Sequence, residues 1–209
     1  MKPSMAFPLI SLFLAMAATC AVCQNDAVSD TNGEPLRPGA EYFIVPDSGG
    51  NFGGLVPQSR DVFHICTLDV VQTLLPFQPG LPVSFVLSEE TVRLSTDISI
   101  QFESPIWICR SSKVWKVDYS TSEDLITTDG KTGSEESLFR IEKLESGNDY
   151  KLVHLDSRSS KIRNVGLIMG EFGIPRLALT DEALSVKFRP VKDKANHVEK
   201  ARLRMFPSY

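Results

Sequence analysis

Along most of the chain, apolar and polar residues alternate in short runs broken by Gly, Pro, Asp and Ser. The first runs are Tyr42-Phe43-Ile44-Val45, Val83-Ser84-Phe85-Val86, Ile98-Ser99-Ile100-Gln101-Phe102 and Val114-Trp115-Lys116-Val117. They continue with Phe139-Arg140-Ile141-Glu142, Tyr150-Lys151-Leu152-Val153, Val165-Gly166-Leu167-Ile168, Leu177-Ala178-Leu179 and Leu184-Ser185-Val186-Lys187-Phe188. A period of two, rich in β-branched and aromatic residues, predicts half-buried strands. Turn-forming clusters such as 47–54 (DSGGNFGG) and 128–137 (TDGKTGSEES) separate them. The 13 Gly and 13 Pro leave almost no window for a helical period. The pattern predicts an all-β barrel or sandwich. Its inward strand positions carry few charges, and Trp107, Trp115, Phe139 and Tyr150 belong to its core.

The two ends read differently. Lys2, the apolar stretch from Phe7 to Thr19 and the small residues Ala21-Val22-Cys23 predict a signal peptide over 1–23. That stretch is too short to span a bilayer, and no later run reaches the roughly 18 to 20 apolar residues needed. One domain is expected over 24–191, followed by a locally basic tail over 192–209. The expected location is secreted, apoplastic or vacuolar. Without Lys2 the chain carries 21 basic against 26 acidic residues, a net charge of −5. A mildly acidic domain with no basic stripe excludes nucleic acid as a natural partner.

Cleavage also removes Cys20 and Cys23. Cys66 and Cys109 then remain, and an even pair in an oxidising compartment predicts one disulfide. No cofactor or metal is expected, because two cysteines without a histidine pattern make a poor zinc site. The chain has no Gly-rich phosphate loop, His-Glu-x-x-His or Gly-x-Ser-x-Gly. His64, His154 and His197 have no ligand-like spacing, and His64 two residues before Cys66 reads as a strand histidine beside a disulfide. Glu89-Glu90 and Glu135-Glu136 fall in loops as solvated pairs. The expectation is a binding protein, monomeric and without enzymatic activity.

The segment after the leader narrows this. Val28-Ser29-Asp30-Thr31-Asn32-Gly33-Glu34-Pro35-Leu36, followed by Tyr42-Phe43-Ile44, resembles the signature of the plant Kunitz inhibitors of the soybean-trypsin-inhibitor type. Asp30, Asn32 and Gly33 make a turn there, and Tyr42 and Ile44 begin the core face of the first strand. Gly80-Leu81-Pro82-Val83, Arg176-Leu177-Ala178-Leu179-Thr180 and Val186-Lys187-Phe188 resemble further strands of that family. The resemblance implies a β-trefoil: twelve strands in three pseudo-repeats, a six-stranded barrel capped by three hairpins. It also puts Cys66 and Cys109 at the family's first disulfide. Two departures stand out. The second disulfide is missing, since Tyr150-Lys151-Leu152-Val153 runs on into His154. Pro38 occupies the place of an asparagine that holds the inhibitory loop from inside.

By the same resemblance, the protease-binding loop is Ser88 to Asp97, between the strands near 83–87 and 98–102, with the disulfide bracing its flanks. It contains Arg93, the one basic residue between Cys66 and Cys109. Two registers are open. Arg93-Leu94 as the reactive bond would offer arginine to the pocket of a trypsin-like serine protease. Thr91-Val92 would place Arg93 two residues downstream. A papain-like cysteine protease is the second candidate target. The stretch 72–87 and Ser104-Pro105-Ile106-Trp107 are similar to the crucifer water-soluble chlorophyll proteins, a branch of the same family. Their pigment motif, Cys-Pro-Leu-Gly-Ile, is replaced here by Cys66-Thr67-Leu68-Asp69-Val70. The 203–209 ending looks more like the crucifer trypsin inhibitors. Tetrapyrrole binding, or a storage or stress role with no partner, are the alternatives.

Overall fold

Two long-range pairings close the chain on itself. Tyr42–Pro46 (β1) lies antiparallel to Val186–Pro190 (β12), with Ile44 opposite Phe188. Ile98 and Phe139 exchange both backbone hydrogen bonds, at 2.8 Å each, and so join Ser99–Phe102 (β5) to Arg140–Lys143 (β8). With Val83–Val86 (β4) and Tyr150–Asp156 (β9) between them, the order β1-β4-β5-β8-β9-β12 returns to β1 as a six-stranded barrel. The computed structural model describes residues 27–47, 52–60, 66–107, 109–145 and 149–191. The signal peptide expected over 1–23, the tail expected over 192–209, His64 and His197 lie outside these residues.

Three hairpins cap the barrel. Leu55–Ser59 (β2) pairs with Leu68–Gln72 (β3), Lys116–Asp118 (β6) with Leu125–Thr127 (β7), and Lys161–Met169 (β10) with Pro175–Thr180 (β11). They meet through Asp69 opposite Thr127, Leu125 opposite Ala178, and Val71 opposite Arg176. Three four-strand units, β1–β4, β5–β8 and β9–β12, thus build a β-trefoil.

Aromatic rings tie the units together across the core. Phe85 meets Phe188 edge-on at 5.5 Å, while Trp115 meets Phe139 edge-on at 6.5 Å and Phe102 at 5.2 Å. All five side chains are fully buried, and each such ring pair adds about 1 kcal/mol beyond its area. Trp107 is only partly buried, packed against this core from outside.

Three strands escape the sequence pattern for identifiable reasons. β2 contains Pro57, which an edge strand tolerates and a central one does not. β7 is three residues long and buried throughout, so it shows no alternation. β3 carries Asp69, almost wholly buried, against the expectation that inward positions lack charge. Arg60 at 2.8 Å and Arg176 at 3.4 Å neutralise it from two sides. A buried carboxylate survives only when paired in this way.

Candidate functional site

The connection between β4 and β5 leaves the barrel at Leu87 and returns at Ile98. Its outer crest, Ser88-Glu89-Glu90, is exposed, and the chain then dips inward at Val92. That side chain is completely buried in the core cluster. The dip is fixed by backbone bonds from the first turn. The Val92 N–H donates to the Leu36 carbonyl at 3.0 Å, and the Val28 N–H donates to the Val92 carbonyl at 3.0 Å. The Leu36 N–H donates to the Val28 carbonyl at 2.8 Å, so the three residues form one closed ladder.

The same turn is rigid in its own right. Asp30 Oδ1 accepts from the N–H groups of Asn32 (2.7 Å) and Glu34 (3.1 Å), an Asx turn completed by Gly33 at φ 85°. Tyr42 and Ile44 follow as buried residues of β1, with the Tyr42 hydroxyl accepting from the Arg37 N–H at 3.0 Å. Pro38 offers no side-chain amide to the loop, and the Val28–Val92–Leu36 ladder supplies backbone support instead.

Beyond Val92 the loop turns outward again. Arg93 forms an isolated bridge with Ala27, and its half-exposed side chain lies 3.6 Å from Glu89. Leu94 packs partly against the core, and Ser95 adopts φ 58° while its N–H donates to the Ile141 carbonyl at 2.9 Å. Asp97 takes two bonds from Arg140, Nε at 2.6 Å and Nη2 at 3.3 Å, which hold the guanidinium pKa above its ordinary value. A cavity of about 490 Å³ opens beside the crest, walled by Leu87, Glu89, Thr96, Gly133 and Leu138.

These positions decide what the loop can present. Thr91 is half-buried, and the peptide it shares with Val92 has its N–H committed to Leu36. The Arg93 side chain is half-exposed beside the exposed Glu89. Arg140, Ile141 and the Val28–Leu36 ladder were not legible as loop supports, because each contact joins residues far apart in sequence. The faint signal was Val92 itself, an apolar residue inside the polar run 88–97.

Cys66 and Cys109 form the disulfide, with Cα atoms 5.5 Å apart. It does not brace the flanks of the loop as expected. The loop precedes the N-terminal end of β5, whereas Cys109 follows its C-terminal end, so the bond ties the opposite end of the β4–β5 pair. At that end too lie the exposed apolar residues Leu74, Leu75, Phe77 and Ile106. Among the described residues there is no cluster of metal-ligating side chains and no helix long and apolar enough to cross a membrane.

Comparison with known proteins adds the family. Residues 28–190 match the Kunitz legume family model, described as trypsin and protease inhibitor. Kunitz trypsin inhibitor 2 of Arabidopsis thaliana is 42% identical over 87% of this chain and 90% of its own. Among solved structures, a water-soluble chlorophyll protein from Brassica oleracea with chlorophyll b is 39% identical with a TM-score of 0.72. It covers 80% of this chain and 100% of that one. A trypsin inhibitor from Crataeva tapia is 31% identical with a TM-score of 0.64, covering 75% of this chain and 99% of that one.

Proposed function

The chain belongs to the Kunitz-type trypsin and protease inhibitor family, and we propose that it blocks the active site of a serine endopeptidase with its 88–97 loop. The observation that carries this reading is the fixing of an exposed loop from both sides. Val92 is clamped by Val28 and Leu36, and Asp97 by Arg140. A loop ordered during folding loses little further entropy on binding, which is the basis of tight substrate-like inhibition.

Of the two registers, the geometry favours Arg93-Leu94. Reaction at Thr91-Val92 would require a fully buried side chain to leave the core. Arg93 already projects with its side chain half-exposed, and its ion pair with Glu89 is a surface pair, worth about 1 kcal/mol or less. The segment after it is held by Ser95 on Ile141 and Asp97 on Arg140. A newly cut Leu94 amine would therefore stay beside its acyl partner and favour resynthesis of the bond. The chain supplies no catalytic group for this; it acts by occupying the enzyme.

The reading includes export by a 1–23 leader, a 24–191 inhibitory domain that acts as a monomer, and a 192–209 tail. Titration of trypsin, chymotrypsin and a papain-like protease with the refolded 24–209 chain tests it. Stoichiometric loss of trypsin activity is expected, and inhibition of papain alone would assign the cysteine-protease class instead.

A second reading, tetrapyrrole binding, draws on the 39% identity to a chlorophyll-containing structure and on the exposed Leu74, Leu75, Phe77 and Ile106. Against it, Asp69 stands where the pigment motif has glycine and is engaged by Arg60 and Arg176. Mixing with chlorophyll and recording a protein-bound visible band after gel filtration separates the two.

A further inference from the structure

A second cavity, of about 470 Å³, opens where the first turn meets β8, β9 and β12. Its wall includes Ser29, Asp30, Thr31, Lys143, Tyr150 and Lys187. The volume lies in the range of small-molecule sites, roughly 300 to 1,000 Å³. It lies apart from the 88–97 loop, none of whose residues line it.

The wall is already built. The Thr31 N–H donates to the Phe188 carbonyl at 2.8 Å, and the Ser29 N–H donates to the Tyr150 hydroxyl at 3.0 Å. Asp30 Oδ1 is taken up by the turn.

What remains is a set of polar groups with capacity to spare. Tyr150 is 9% exposed, and its hydroxyl, having accepted from Ser29, keeps a proton with no acceptor among the described residues. Asp30 Oδ2 has no donor among the described residues. Lys143, on the edge of β8, makes no ion pair among them, and Lys187 shares its charge with Asp149 at 3.2 Å. Two lysines and a phenolic proton therefore line the same space as one free carboxylate oxygen and two hydroxyls, with room for a sugar and its substituent.

The geometry points to a binding site for a sugar-sized ligand carrying one anionic substituent, a sulfate or a carboxylate. Lys143, Lys187 and the Tyr150 proton hold the anion by charge-assisted hydrogen bonds. Asp30, Ser29 and Thr31 take the ring hydroxyls. A bare anion satisfies only the first group, and a neutral sugar only the second.

The test follows the backbone amides of Thr31 and Gly33 by nitrogen-15 NMR on the refolded 24–209 chain. The probes are glucose 6-sulfate, glucuronate, glucose and inorganic sulfate. At least one anionic sugar should shift both amides saturably and bind at least roughly tenfold more tightly than glucose or sulfate, the scale of a charged hydrogen bond. A Lys143→Met/Lys187→Met variant, with an unchanged melting temperature, should lose that advantage. The inference is overturned if neither anionic sugar shifts these amides, or if glucose or sulfate binds equally well. Unchanged affinity in the double variant also overturns it.

Discussion

Arg140 and Asp97 face each other across the gap between β8 and the base of the exposed loop, joined by Nε–Oδ1 at 2.6 Å and Nη2–Oδ2 at 3.3 Å. Forty-three residues separate them in sequence, yet this fork fixes the chain just before it enters β5. Both side chains are partly exposed, so the pair contributes about 1 kcal/mol or less to stability. Its larger effect is on loop order. Arg140→Ala should leave the melting temperature within a few degrees of wild type while weakening protease inhibition on the order of fivefold. Equal inhibition by the two proteins would show that the fork does not preorganise the loop.

Val92 anchors the other side. Truncation to alanine removes two buried methyl groups and opens a small void, costing about 2 kcal/mol. Val92→Ala should lower the urea midpoint and loosen the loop together. If stability falls but inhibition holds at a temperature where the variant is fully folded, the clamp is a core contact and nothing more.

The disulfide separates stability from inhibition in the opposite sense. It closes a 43-residue loop and stabilises the fold by about 4 kcal/mol in the chain-entropy model. A Cys66→Ser/Cys109→Ser variant should therefore unfold at much lower urea. Because the bond lies at the far end of the β4–β5 pair, the folded variant should still inhibit. Lost inhibition at low temperature, with the circular dichroism spectrum unchanged, would contradict that placement.

His154 gives a pH dependence. It is buried, with Nδ1 2.7 Å from the Leu138 carbonyl and Nε2 2.8 Å from the Tyr119 hydroxyl. Nδ1 therefore donates to Leu138, and Nε2 accepts from Tyr119. Burial pushes its pKa below the ordinary value, outweighing the opposing effects of the Leu138 carbonyl, Asp156 and Asp97. An unfolded histidine titrates at about 6.5, so below that pH the unfolded chain binds the extra proton and stability falls as the pH drops. Asp118 and Asp156 titrate in a lower window. Burial alone would raise their pKa values, but hydrogen bonds from Ser120 and Arg158 hold both below the ordinary value. Melting temperature should thus fall between pH 7.5 and 5, and His154→Gln should flatten that slope even if it lowers the whole curve. An unchanged slope would mean that another group controls this window.

Much of the barrel was legible because its strands alternate against a single core. Tyr42, Ile44, Phe85, Phe102 and Phe188 all point inward at the period the sequence displays. The cap hairpins were less legible, since Pro57, Asp69 and the short run Leu125–Thr127 each break the alternation for a local reason. At the site, the reading of 88–97 as a protease-binding loop with Arg93 came from the family resemblance, and only its place between two strands could be read from the chain. Its supports could not, because Val28, Leu36, Arg140 and Ile141 act through contacts that topology alone brings together. The same holds for the placement of the disulfide, which pairing predicts and position along β5 decides.

Inhibition by this chain turns on Arg93, carried into the protease active site by the 88–97 loop. The most direct measurement titrates trypsin with the refolded 24–209 chain and with Arg93→Ala, reading residual activity against inhibitor concentration. Stoichiometric inhibition by the wild type is expected, with a loss of at least about a hundredfold in affinity for the variant, the scale of a primary anchor residue. Equal inhibition by both proteins, or none by the wild type, would contradict it.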